Sequence, residues 1–180
     1  MDSTTDLIVA TATAPLPAAR SIVRFAGDGL SGILRCHFCS ADGSPLQLPN
    51  LQQPAQLIDV TLNPKSLGSV WGELPLAVLF WPGPEGPLGA AVAEVQLPGS
   101  APLQAAFVHE ACRLGARLAR GGEFSLRSFL AGKIDLLQAE AVVAVIDART
   151  PQELSQALDH MAGGVGRSVE ELREYLLDLV

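Results

Sequence analysis

Two pairs of residues stand at metal-ligand spacing. Cys36-x-x-Cys39 and His109-x-x-Cys112 together offer three thiols and one imidazole, a set that could complete a tetrahedral zinc site. The pairs lie far apart in the chain, and Cys36–His37–Phe38–Cys39 lacks the glycine of a metal knuckle. Free thiols used as small apolar side chains are therefore the simpler expectation, and no metal is assigned. Gly163–Gly164–Val165–Gly166–Arg167–Ser168 has the glycine content of a phosphate cradle. The pattern G-x-x-x-x-G-K-[ST] would place Gly at Met161 and Lys at Arg167, and no buried strand precedes it. It reads as a helix interruption. His37, His109 and His160 are isolated, with no nucleophile and base spaced around them, so no catalytic residue is assigned.

Two further places could hold a ligand. Glu94 sits in an apolar strand between Ala93 and Val95. It is either an outward strand position or a carboxylate that accepts from a ligand's amide or amino groups. The densest polar stretch is Gly121–Gly122–Glu123–Phe124–Ser125–Leu126–Arg127–Ser128–Phe129–Leu130–Ala131–Gly132–Lys133–Ile134–Asp135. Charges of both signs alternate there with aromatics and glycines. A hinge with local salt bridges and a wall that touches a ligand or partner both fit.

The elements that must position these residues change character near Gly121. Before it, short apolar runs predict strands at Leu7 to Thr13, Ser21 to Phe25, Gln56 to Leu62, Pro75 to Trp81 and Val92 to Leu97. Turns fall at Gly27–Asp28–Gly29, Asp42–Gly43, Pro64 and Pro82–Gly83–Pro84. Asp28 to Cys39 accommodates a short helix, and Ser40 to Pro54 reads as a surface loop. The clearest helix is Ala101 to Ala119, with Ser100 as cap and Pro102 in its first turn. Its apolar stripe is Leu103, Ala106, Phe107, Ala111, Leu114 and Leu118, with Arg113, Arg117 and Arg120 crowding its end. Strands closed by a long helix predict an α+β domain with a mixed sheet over 1–120.

From 121 to 180 the pattern is helical. Leu136 to Ala148 is apolar on almost every side, which predicts burial against another domain or subunit. Thr150, Pro151 and Glu153 open a further helix as N-cap, first and third positions. Gly163, Gly164 and Gly166 interrupt it, and Ser168 to Val180 forms a last amphipathic piece. The chain stops in apolar Leu176–Leu177–Asp178–Leu179–Val180, the expectation for a segment of a longer protein.

Composition bounds the class. The 180 residues are 48% hydrophobic, with 12 Lys and Arg against 19 Asp and Glu, a formal net charge of −7. Such a chain buries a sizeable core and is not disordered. It is too acidic for a basic nucleic-acid module. Its longest apolar runs fall well short of the roughly 20 residues of a membrane span. Met1 to Asp6 carries two acids and no basic region, unlike a secretory signal. Three cysteines make no disulfide framework, so a reducing cytoplasm is the expected compartment.

The polar stretch, continued through Leu136–Leu137–Gln138–Ala139–Glu140–Ala141, closely resembles a motif of the MnmE/TrmE tRNA-modification GTPases. That pattern is roughly P-G-E-F-T-x-R-A-F-L-N-G-K-L-D-L-x-Q-A-E-A, followed by a helix ending I-D-A, here Ile146–Asp147–Ala148. Asp6–Leu7–Ile8–Val9–Ala10 is similar to the family's D-T-I-x-A, and Ile22–Val23–Arg24–Phe25–Ala26–Gly27 to its I-V-R-x-S-G. Trp81–Pro82–Gly83–Pro84 resembles F-P-G-P. The likeness runs from about Asp6 to Val180.

The resemblance implies an N-terminal domain like the tetrahydrofolate-binding domain of glycine-cleavage aminomethyltransferases. It would bind a one-carbon folate, 5-formyl- or 5,10-methylene-tetrahydrofolate, and form a homodimer. A helical domain would begin at 121, carrying an inserted Ras-like G domain that binds GTP, Mg and K. That G domain and a C-terminal cysteine motif lie outside this chain. With an FAD-dependent partner protein, such GTPases modify the wobble uridine of tRNA. The chain departs from the pattern in three loops. G-R-G-G becomes Leu16–Pro17–Ala18–Ala19, T-G-E-D becomes Leu88–Gly89–Ala90–Ala91, and H-G-G becomes Pro98–Gly99–Ser100. A weakened folate site follows, or a dimerisation scaffold without one. Arg24, Glu94, Glu123, Phe124, Arg127 and Lys133 are kept. The resemblance makes the first five candidate folate residues, a carboxylate for the pterin N–H edge and a cation for the glutamate tail.

Overall fold

The computed structural model describes residues 5–63 and 73–161, together with Tyr175. It divides into two compact units, Met1–Phe124 and Ser125–Val180. In the first, among the described residues, seven strands form one sheet in the order β3-β4-β5-β6-β2-β1-β7. They are β1 (Ile8–Thr11), β2 (Ala18–Ala26), β3 (Phe38–Ser40), β4 (Gln56–Leu62), β5 (Leu74–Trp81), β6 (Val92–Gly99) and β7 (Arg117–Leu118). Every neighbouring pair is antiparallel except β1 with β7, so the sheet is mixed and the class is α+β.

Alternation along the strands sorts the side chains between two faces. Val23 and Phe25 of β2, Val78 and Phe80 of β5, and Val95 and Leu97 of β6 are fully buried in one cluster. Helices α1 (Leu30–His37) and α2 (Ala101–Arg113) cover that face with Leu30, Ile33, Leu34, Leu103, Phe107 and Ala111. The intervening residues, Arg24 and Glu94 among them, project from the opposite face. There, among the described residues, Ile8, Ala26 and Val92 form a small buried patch, flanked by Trp81, Leu88, Ala119 and Phe124.

Two predicted helical stretches are corrected. The first helix ends at His37, and Phe38–Ser40 pairs with β4 as an edge strand. The long helix stops at Arg113, because Gly115 takes φ 104° and turns the chain back. Arg117 and Leu118 then pair with Ile8 and Val9 as β7. Leu114 and Leu118 are consequently exposed, although they continue the apolar stripe in sequence. Ser100 stands at the N-cap of α2 without a side-chain cap bond, while Pro102 does lie in its first turn.

Helix α3 (Glu123–Leu130) runs across the boundary between the units, and α4 (Leu136–Asp147) and α5 (Pro151–Met161) belong to the second. Asp135 and Gln138 close a reciprocal capping box on α4. Thr150 Oγ1 accepts from the Glu153 amide at 3.2 Å to cap α5. In this chain α4 keeps Leu136, Leu137, Val143 and Ile146 exposed and buries only Ala141. The glycine-rich 163–168 stretch lies outside the described residues, as does the 168–180 piece apart from helical Tyr175. No described helix is long and apolar enough to cross a membrane.

Candidate ligand-binding face of the sheet

Arg24 and Glu94 are direct partners in the β2–β6 register. The Arg24 Nε donates to Glu94 Oε1 at 2.8 Å, and a terminal nitrogen donates to the same oxygen at 2.6 Å. Both bonds converge on Oε1, so Oε2 is not used by the pair. The side chains are 39% and 16% exposed, which keeps the carboxylate shielded but reachable. A carboxylate oxygen in that position can accept from an N–H edge without an added charge to compensate, because Arg24 already neutralises it.

Aromatic surface borders the pair. The Arg24 guanidinium carbon lies 5.6 Å from the centroid of the Phe124 ring, within cation–π range. Phe124 and Trp81 both pack against the Ile8, Ala26 and Val92 patch. On β5, Trp81 pairs with Val92 two residues along from Leu79, which pairs with Glu94. Further along the same face, an open groove of about 450 Å³ is lined by Arg20, Asp59, Thr61, Ala77 and Gln96, among others. Its Arg20 donates to Gln96 Oε1 at 2.9 Å.

The first turn of α3 is held by a second charge cluster. Arg117 donates from Nε to Asp6 at 2.9 Å and places its two terminal nitrogens on the two Glu123 oxygens at 3.0 and 2.8 Å. Glu123 Oε2 also accepts from the Arg120 amide at 2.8 Å. Two carboxylates around one guanidinium raise the Arg117 pKa, the bond to Glu123 contributing most and that to Asp6 next.

The sequence candidates are thus distributed. Arg24, Glu94 and Phe124 are brought together, and Glu123 adjoins them with its carboxylate engaged by Arg117 and Arg120. Arg127 is buried on α3 in the second unit, and the Lys133 amide bonds to the Ser128 carbonyl past the end of that helix. Sequence reasoning missed three side chains. Asp6 opens the stretch similar to D-T-I-x-A, yet nothing there gives its side chain a partner, and Arg117 falls in the spacing of a helix that ends earlier. Arg20 had one usable signal, since it directly follows the Leu16 to Ala19 loop where the family pattern has a basic residue. The thiols and imidazole of the zinc reading are dispersed. Cys36 and His109 are exposed, Cys112 is half-buried, and Cys39 Sγ lies 3.5 Å from the Thr61 carbonyl. Among the described residues, no three metal-ligating side chains form a group.

Comparison with known proteins decides the family. The family model described as "GTP-binding protein TrmE N-terminus" matches residues 7–133. The chain belongs to this TrmE N-terminal family. It is 40% identical over 176 residues to the tRNA modification GTPase MnmE of Rhodopirellula baltica, which covers 97% of this chain and 36% of that protein. The MnmE proteins of Moorella thermoacetica and Pseudomonas paraeruginosa are 33% and 35% identical, over 97% and 99% of the chain. The chain spans about 36% of the length of these curated relatives. In this TrmE N-terminal chain the three divergent loops fall at opposite ends of β6. Ala18 pairs with Gly99 at one end, while Leu88 flanks the Val92 patch at the other.

Proposed function

We infer that this chain is the folate-type module of a tRNA-modifying GTPase, and that the Arg24, Glu94 and Phe124 face receives a one-carbon tetrahydrofolate. The fold then plays the part of the tetrahydrofolate-binding domain of aminomethyltransferases. The observation that carries the reading is the convergence of both Arg24 bonds on Glu94 Oε1. It leaves Oε2 unused by the pair, suited to the N–H edge of a pterin. The residues present fit that end of the ligand. Glu94 accepts, Arg24 sets the carboxylate and neutralises it, and Trp81 and Phe124 supply apolar walls. Arg20 in the adjoining groove supplies a cation suited to the glutamate tail. A bound folate contributes a transferable one-carbon unit, and this chain's own residues contribute binding and orientation.

In the parent protein the module pairs with a second copy as a cytoplasmic homodimer. It works with a G domain that uses GTP, Mg and K, and with an FAD-dependent partner, on the wobble uridine of tRNA. Those activities reside outside the described face, and the fragment itself does not grip tRNA. Calorimetric titration of the chain with 5-formyltetrahydrofolate tests the reading. Saturable micromolar binding that Glu94→Ala abolishes supports it, and Arg127→Ala tests the second-unit cation separately. No heat at millimolar ligand overturns folate binding and leaves the dimerisation scaffold.

A further inference from the structure

We propose that Arg117 is a positioning residue for the ligand-binding face, acting through Glu123 and Phe124 on Arg24. This rests on the reading of the Arg24–Glu94 pair as the ligand's anchor. The starting observation is the site of Arg117 itself. Strand β7 has two residues, and it is tied to β1 by the Arg117 amide on the Leu7 carbonyl at 2.8 Å and the Ala119 amide on Val9 at 2.9 Å. From that short strand the guanidinium reaches two carboxylates on different segments. Asp6 precedes β1, and Glu123 opens α3.

Glu123 is held in a plane by the fork of terminal nitrogens, and its Oε2 also receives the Arg120 amide. That arrangement fixes where the helix begins and how its first turn is rotated. The next residue is Phe124. Its ring is thereby set on the Ile8, Ala26 and Val92 patch, with the Arg24 guanidinium 5.6 Å from its centroid. Rotation of the turn would move the ring away from Arg24. A guanidinium without that surface has other rotamers open to it and need not place both bonds on one oxygen. Arg117 therefore determines which Glu94 oxygen is left for a ligand, although it stands outside the pair.

Arginine is the residue this task requires. A lysine at 117 would retain the charge but is a single point donor, unable to hold a planar fork on Glu123 and reach Asp6 as well. Geometry and charge can thus be separated by a conservative substitution.

The test uses the full chain as wild type, Arg117→Lys and Glu123→Gln. The first readout is the Arg24 Nε–H resonance by NMR without ligand, with the methyl signals of Val78 and Val95 reporting the core. In both variants the Arg24 signal is expected to shift and its exchange with water to quicken, while the core methyls stay in place. The second readout is titration with 5-formyltetrahydrofolate, where Arg117→Lys should weaken binding about tenfold. An Arg24 signal that stays unmoved in Arg117→Lys overturns the proposal. If that variant does not fold, an unmoved signal in Glu123→Gln overturns it equally. A shifted Arg24 signal with no folate binding in any form, wild type included, supports the positioning role and removes the folate reading alone.

Discussion

The His37 imidazole lies against the Phe107 ring in the core, with centroids 4.9 Å apart and planes tilted by 50°, and neither of its nitrogens has a hydrogen-bond partner among the described residues. Burial lowers its pKa from 6.5 to about 4, with Glu110 opposing and Arg113 adding to the shift. The folded state holds His37 neutral, while the unfolded chain takes up a proton below pH 6.5. Stability therefore falls as pH drops from 6.5 towards 4. At pH 5 the loss is about 2 kcal/mol, a fall in Tm of roughly 4–8 °C for a chain of this size. Melting curves at pH 7 and pH 5 check this. The difference should largely disappear in His37→Leu, and an unchanged difference would show that His37 is not its source.

Gly27 closes the turn after β2 with φ 121°, and a Cβ there would meet the Asp6 and Thr5 carbonyl oxygens. Its neighbour Asp28 donates to the Thr5 carbonyl at 2.8 Å, so the turn pins the segment that carries Asp6. Gly27→Ala should cost about 1–3 kcal/mol, since neither the backbone angle nor the space suits a side chain. Gly43→Ala at φ 82° meets nothing within 4 Å and should cost less. Parallel urea titrations rank the two, and an equal cost would mean that close approach to Asp6 is not what matters.

Local pattern made much of this legible. Gln56 to Leu62 is a strand over the very span that alternation predicts, because Val60 and Leu62 face the core and Asp59 does not. Glu94 could be recognised as outward-facing from Ala93 and Val95 beside it. Its partner could not, because Arg24 is 70 residues distant and only the β2–β6 register brings it there. The same limit hid Arg117. Leu114 and Leu118 prolong the helical spacing of α2, and nothing nearby signals that Arg117 pairs with Ile8 and reaches Asp6, 111 residues away. Long-range sheet pairing overrode a sound local period.

The Arg24–Glu94 pair should matter more to binding than to stability. Cross-strand ion pairs on a partly open face contribute at most about 1 kcal/mol, screened by solvent. A double-mutant cycle with Arg24→Gln and Glu94→Gln is expected to give a coupling below that figure in chemical denaturation. Glu94→Gln should nevertheless remove the heat of 5-formyltetrahydrofolate binding, because an amide cannot offer a second anionic oxygen. A coupling of several kcal/mol would instead mark the pair as structural.

Helix α4 exposes Ile146 at 76% and Val143 at 57%, an apolar surface that the described residues of the second unit leave uncovered. Its sequence is that of a buried helix, so the side chains in question are available to a second copy or to further chain. Substituting both by Glu removes no buried contact, and stability should stay within about 0.5 kcal/mol. Adherence should change, because contiguous exposed apolar surface is what drives association. Light scattering is expected to give the wild-type chain a mass above the monomer, and Val143→Glu with Ile146→Glu a lower one. A wild-type monomer, or a dimer that the double variant leaves intact, would place self-association elsewhere than on α4.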